Sequence, residues 1–329
     1  MERSGEALLE IKDLTVRFHT YQGVAHAVDI ERFSIYKRES VGLVGETGCG
    51  KTVTSLAILG LIPSTGRIES GEIVFKGEDL LKKSKEAMRQ IVGKQISMVF
   101  KNPVSSLNPV FTVGDQVTSI IRLHQNVGKS EAEKRAIEMF ELVRLPDPKK
   151  IMKSYPHELS GGMCQRAMIA MALSCNPDLL IADEPTTALD VTIQAQILKL
   201  MSELKEEINT SILLITHDLS VVAQTCDRVA VMYAGNLVEA GTIQAIFKDP
   251  RHPYTKGLLE AIPKLGSIER KLRGIEGAVP SLLNPPEGCR FHPRCSKAMG
   301  TCKEMSPRQI EVETGHCVSC LLYGADARR

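Results

Sequence analysis

The sequence predicts an α/β fold carrying a helical insertion and a small cysteine-rich C-terminal extension. Three observations support this. Short apolar strands alternate with long helical stretches over the first 240 positions, the pattern of a largely parallel sheet covered on both faces. From about 103 to 176 that alternation gives way to helical spacing. Beyond 250 the regular pattern thins, prolines recur at 250, 253, 263, 280, 285 and 286, and five of the nine cysteines gather in GCRFHPRCSKAMGTC (288–302) and GHCVSC (315–320).

Taken in order, LEIKDLTVRF (9–18) and VGLVG (41–45) read as strands, and a helix runs from Gly50 through KTVTSLAILGL. GEIVFKG (71–77) alternates apolar and polar as a half-exposed strand does, and QISMVF (95–100) reads as a buried one. Ser130 with Glu133 forms a capping box ahead of KRAIEMFELVRL, and a second helix, GGMCQRAMIAMALS, follows Ser160. Strands return at DLLIAD (178–183) and SILLITH (211–217), separated by the helix VTIQAQILKLMSELKEEI, and RVAVMYAGNLVEAG (228–241) closes the regular part. The expected division is a main domain over 1–250, with its helical subdomain at about 103–176, and an extension over 251–329.

Composition excludes several classes of function. Net charge is +2 with acids and bases interspersed, and there is no Trp, so neither a basic groove nor a stacking platform for nucleic acid is expected. The opening MERSGEALLEIKDL has early acids and no apolar core, unlike a secretory signal. No apolar run reaches the roughly 18 residues that span a bilayer; the best, SLAILGLIP, stops at Pro63. Any membrane role is therefore expected to come through a partner. An odd cysteine count without a signal peptide points to reduced thiols in the cytosol.

GETGCGKT (45–52) fits G-x-x-x-x-G-K-[ST] between a strand and a helix. Gly45, Glu46, Thr47, Gly48, Cys49, Gly50, Lys51, Thr52 and Val53 would cradle a phosphate, because backbone amides crowd at a helix N-terminus. Lys51 would reach the β- and γ-phosphates of ATP and Thr52 would ligate Mg²⁺. LLIADE (179–184) supplies the complement: Asp183 holds Mg²⁺ and Glu184 acts as the base on the attacking water.

LSGGM (159–163), TALD (187–190) and LLITHD (213–218) complete five motifs whose order resembles that of ATP-binding cassette (ABC) proteins. The resemblance implies an ABC-type P-loop nucleotide-binding domain that pairs head to tail. Ser160, Gly161 and Gly162 of one subunit would cap the γ-phosphate bound at Lys51 of the other. It further implies that His217 contacts the γ-phosphate, that Asp190 supports the dimer interface, and that Phe18 or Tyr21 stacks on adenine.

Two positions depart from that family. Lys101 of FKNP (100–103) stands where a Gln usually senses metal and water. An ammonium cannot ligate a metal, so Lys101 either pairs with a phosphate or faces the partner, and hydrolysis is expected to be weakened or unusually regulated. Cys164 follows the signature where a basic residue is common. Cys49 lies in the phosphate loop beside a helix N-terminus that favours thiolate; a small filler is the preferred reading, and alkylation there is nonetheless expected to block ATP binding.

DPRHPYTKGLLEAIP (249–263), GAVPSLLNPPEGCRFHPRC (277–295), NPVSSLNP (102–109) and ALDVTIQAQIL (188–198) resemble ATPase subunits of dipeptide and oligopeptide importers. The same subfamily serves nickel and some other solutes, and a non-transporting regulator is a further alternative. The implied partners are a paralogous ATPase subunit or a second copy, two permease subunits and, indirectly, an extracellular solute-binding protein, with the ATPase on the cytoplasmic face of the membrane.

Cys289, Cys295, Cys302 and Cys320 are separated by five, six and seventeen residues, wider than the C-x₂₋₄-C knuckle of structural zinc. Four thiolates at such spacing suit a [4Fe–4S] cluster, and the resemblance implies the same four ligands. Zn²⁺ completed by Cys317 or His316 is the rival, and free thiols the third possibility. A short proline-rich segment buries little surface, so metal binding would supply its folding energy.

Overall fold

A computed structural model of the protein describes residues 6–187, 189–262 and 274–324. It divides into two compact units, residues 1–82 with 215–329, and residues 83–214.

The first unit is built on a long antiparallel hairpin, Ala7–Thr20 with Gly23–Tyr36, in which Ile11 faces Phe33 and Val16 faces Val28. Gly66–Phe75 lies antiparallel on the outer side of Ala7–Thr20. Strand Gly23–Tyr36 was not anticipated. Its buried positions run Val28, Ile30 and then Phe33, Ile35, so the two-residue period changes phase across exposed Glu31 and Arg32. RVAVMYAGNLVEAG is likewise two strands, Arg228–Tyr233 and Asn236–Thr242, turning through Ala234 (φ 44°) and Gly235 (φ 91°). Two successive positive φ values are what a tight hairpin turn with the right twist requires.

In this unit Ser40–Val44 runs parallel to Arg228–Tyr233, and Asn236 pairs in parallel with Asp29. The expected largely parallel sheet is corrected for this unit, because antiparallel pairs predominate among its described strands. Val44, Val222, Val229, Val231 and Tyr233 form its buried centre.

The C-terminal stretch is woven into the same unit. Ile310–Glu313 and His316–Val318 form a hairpin, and His316–Val318 adds antiparallel to Asn236–Thr242. Tyr254 and Phe291 interlock with Tyr233 at ring-centroid distances of 4.6 and 5.0 Å. The segment thus has an aromatic anchor that its proline content did not suggest. The change of sequence pattern near 250 does not coincide with the division into compact units.

In the second unit Ile96–Val99 runs parallel to Leu179–Asp183, with Ile96 beside Leu179 and Val99 beside Ala182. Ser211–Thr216 borders Leu179–Asp183 on its other side and passes into the first unit. Regular structure from 103 to 176 is helical throughout. Val113–Gln125 starts on Thr112, whose hydroxyl accepts from the Asp115 amide at 3.1 Å, and stops at left-handed Asn126. Helix Lys129–Leu142 begins one residue before the expected capping box. Gly128 is its N-cap, without a side-chain hydrogen bond, and Ser130 and Glu133 fall inside the helix.

Candidate active site

The phosphate loop closes strand Ser40–Val44 and opens helix Lys51–Ile58, whose N-cap is Gly50 at φ 108°. A Cβ on Gly50 would stand 2.6 Å from the Ala27 carbonyl, and one on Gly45 would stand 2.1 Å from that of Met232, so no larger residue fits either place. Gly235 donates its N–H to the Cys49 carbonyl at 2.8 Å, tying the loop to the neighbouring hairpin. Lys51 is buried and its Nζ lies inside the loop, donating to Gly45 O at 2.7 Å and Glu46 O at 3.1 Å. Thr47, Gly48 and Thr52 are exposed and Val53 is half-buried.

Cys49 is fully buried, and that burial pushes its thiol pKa up despite the Lys51 ammonium. Desolvation here outweighs the helix terminus, in keeping with the small-filler reading. Phe18 closes over Gly66, while Tyr21, at the tip of the first hairpin, is 96% exposed. Of the two adenine-stacking candidates, only Tyr21 presents a whole ring. His217 is exposed just past Ser211–Thr216.

Glu46 reaches two side chains outside the loop. Its N–H donates to the Tyr254 hydroxyl at 3.1 Å. Its carboxylate accepts both ends of the Arg294 guanidinium, at 2.8 and 3.2 Å. Neither partner was foreseen, since Tyr254 and Arg294 lie more than 200 residues along the chain in the stretch read as a separate extension.

In the second unit Asp183 and Glu184 end strand Leu179–Asp183, both buried, with Glu184 at φ 45°. Glu184 Oε2 accepts from the Thr187 hydroxyl at 3.0 Å and from Lys101 Nζ at 2.6 Å. Lys101 thus lies on the expected catalytic base, a contact that neither sequence reading of Lys101 named. Two loops ending adjacent parallel strands bring them together, a proximity visible only once Ile96–Val99 and Leu179–Asp183 are paired.

Ser160 caps helix Gly161–Leu173, its hydroxyl accepting from the Met163 amide at 3.3 Å. Gly161 and Gly162 form the first turn and leave backbone N–H groups open, as anion binding needs. Cys164 is fully buried with its thiol toward the Pro156 carbonyl, so it fills the core and offers no partner contact. Asp190 accepts from the Thr192 and Ile193 amides at 3.0 Å each, capping helix Val191–Ile208. Ala188 of TALD lies outside the described residues.

Burial raises the thiol pKa values of Cys289, Cys295 and Cys320, the last to about 11. Cys320 also feels the charges of Cys289, Cys295 and Cys302, which places the four expected ligands in one neighbourhood. Among the described residues, however, no three Cys, His, Asp or Glu side chains form a group that could hold a metal ion. His316, named in the rival zinc set, is buried with Nε2 2.8 Å from the equally buried Glu239.

Comparison with known proteins accounts for both the loop and the tail. A model of the ABC transporter family matches residues 29–187, and one of the oligopeptide/dipeptide transporter C-terminal region matches 238–302. The oligopeptide transport ATP-binding protein OppD of Bacillus subtilis is 52% identical over 97% of this chain and 90% of its own length. The chain belongs to the ABC transporter ATPase family. The dipeptide transport ATP-binding protein DppD of Bacillus subtilis is 49% identical over 96% of the chain and 95% of its own length. OppD of Escherichia coli is 47% identical over 97% and 94%. Among solved structures, the dimeric ATP-binding cassette MJ0796 bound to ADP and Pi superposes with a TM-score of 0.64 at 25% identity, over 71% of this chain and 98% of that one.

Proposed function

We propose that this ATPase is the energy-coupling subunit of a dipeptide or oligopeptide importer. The observation that carries this reading is the near full-length similarity to peptide-transport ATP-binding proteins, including the tail at 238–302. Lys51 and the amides of residues 45–52 bind the triphosphate, and Thr52 and Asp183 would hold Mg²⁺, which would neutralise charge on the phosphates. Glu184 accepts the proton of the attacking water, and His217 orients the γ-phosphate. Two such subunits, paralogous or identical, would pair so that Ser160, Gly161 and Gly162 complete the partner's site, with Asp190 at their interface. Among the described residues no helix is long and apolar enough to cross a membrane, which agrees with a peripheral subunit docked on two permease subunits at the cytoplasmic face and fed by a solute-binding protein. We assign 1–250 to the ATPase domain, about 103–176 to its helical subdomain, and 251–329 to the extension.

Lys101 regulates this reaction. Its ammonium on Glu184 Oε2 competes for the lone pair that takes the proton, so it must leave before water is activated. The same pair keeps a non-transporting regulatory ATPase as the second reading. Co-purification with two permease subunits and ATP-dependent uptake of a labelled dipeptide test the first reading. An ATPase that binds neither permease subunit supports the second.

In the extension Cys289, Cys295, Cys302 and Cys320 would hold a [4Fe–4S] cluster. Burial and mutual repulsion oppose thiolates at Cys289, Cys295 and Cys320, and a cationic core would offset both. Iron, acid-labile sulfide and zinc assays on protein purified without oxygen decide this. About four iron and four sulfide per chain, lost in Cys289→Ser, support the cluster; one zinc without sulfide replaces it.

A further inference from the structure

We infer that Arg294 is a positioning residue for the phosphate loop: from the C-terminal extension it fixes Glu46, and through Glu46 the turn that binds the triphosphate. The inference rests on the ATPase reading above and adds a role for the tail inside the nucleotide site.

All five N–H donors of Arg294 are directed. Nη1 faces Glu46 Oε2 at 2.8 Å and the Tyr233 hydroxyl at 3.4 Å, and Nη2 faces Glu46 Oε1 at 3.2 Å and Ile275 O at 3.2 Å. Nε donates to Glu276 O at 3.0 Å. A fork held at every position has one orientation, and a bidentate carboxylate takes its direction from it. The side chain is 5% exposed against 32% for Glu46, so the guanidinium is the anchor and the loop carboxylate the part being held.

Two neighbours in the sequence make the anchor rigid. Phe291 is 3% exposed and stacks edge-on against Tyr233. Tyr254, in the same aromatic group, accepts the Glu46 N–H, so side chain and backbone of Glu46 are fixed from one cluster. Arg290 reaches the other side of the loop. It binds Asp29 Oδ2 at 2.5 Å and the Ala234 carbonyl, beside the Gly235 N–H that holds Cys49 O. CRFHPRC (289–295) therefore touches both supports of the phosphate loop, with a cysteine at each end.

The test is binding of a fluorescent ATP analogue with Mg²⁺ to the full-length protein, with melting temperature recorded for every variant. Arg294→Ala is expected to weaken binding about tenfold, within the range of coupled neighbours. Arg294→Lys keeps the charge without the fork and recovers only part. Glu46→Ala is the discriminating variant. On charge alone, removing an acid beside a triphosphate tightens binding; loss of position weakens it. Its site is half-exposed, so the fold survives even if Arg294→Ala does not fold. The proposal expects weaker binding in Glu46→Ala and no further loss when both changes are combined. Unchanged or tighter binding in Glu46→Ala, or losses that add, overturns it. A wild-type protein that fails to bind the analogue overturns the ATPase reading together with this one.

Discussion

Glu46 and Glu184 each meet a distant basic side chain, but with opposite burial. At Glu46 the cation is buried and the carboxylate reaches solvent, with Arg294 5% and Glu46 32% exposed. At Glu184 the carboxylate is buried and the cation reaches solvent, 9% against 55%. The buried member of such a pair is the one whose position is fixed. An arginine with every donor engaged can serve as a support, whereas a half-exposed lysine loses rotamer freedom to stay in place and is readily displaced. One pair holds the loop and the other covers the base.

The comparison can be broken first at its catalytic end. Glu184→Gln is expected to lower ATP turnover by more than about a hundredfold, the scale of a lost general base, while nucleotide binding persists. Phosphate release and analogue titration on the same sample check it.

Acid should act next, on the buried side of the first unit. Burial lowers the His252 pKa to about 4. The unfolded chain therefore binds a proton between the ordinary histidine value and that one. The neutral form's stability is fully present above about 6.5 and is lost as pH falls towards 4, on the order of 3 kcal/mol. Burial works against the Glu239 carboxylate, but hydrogen bonds from His316 and from the Arg251 and His252 amides outweigh it and hold the pKa below its usual range. That contribution too is present above the unfolded carboxylate value and lost below it. Urea titrations from pH 7.5 to 4.5 should show falling midpoints, and His252→Phe should flatten the upper part of that slope.

Lys101→Gln sharpens the other pair. A half-exposed ion pair is worth up to about 1 kcal/mol, so turnover should rise about two- to fivefold. Equal or lower turnover means Lys101 is no cover on the base. The smallest effect belongs to Cys49. Its buried, protonated thiol should resist iodoacetamide in the folded protein, and Cys49→Ser should change nucleotide affinity by less than about twofold. Mass spectrometry of the phosphate-loop peptide reads the first, titration the second.

What was legible in the sequence follows from range. The glycine-rich loop, the acids ending Leu179–Asp183 and the Ser160 cap are local chemistry, and each sits on the predicted element. The helices between 103 and 176 were likewise readable from period alone. Strand Gly23–Tyr36 was missed because its apolar phase slips at Glu31 and Arg32, and the turn at Ala234 because it lacks the usual Asn-Gly or Asp-Gly signal. Lys101 on Glu184 and Arg294 on Glu46 join residues 83 and 248 positions apart, and nothing local in either partner announces the other. Cys164 shows the converse: its departure from the family pattern was visible, but only burial reveals that it is a core residue.

The aromatic group at the joint has an optical consequence. The chain has no Trp and six Tyr, and Tyr233 and Tyr254 sit with ring centroids 4.6 Å apart where the tail meets the phosphate loop. Near-ultraviolet dichroism and tyrosine emission will therefore carry a signal from this joint without an introduced dye. Nucleotide entering the loop and chemistry at the neighbouring cysteines should both alter it.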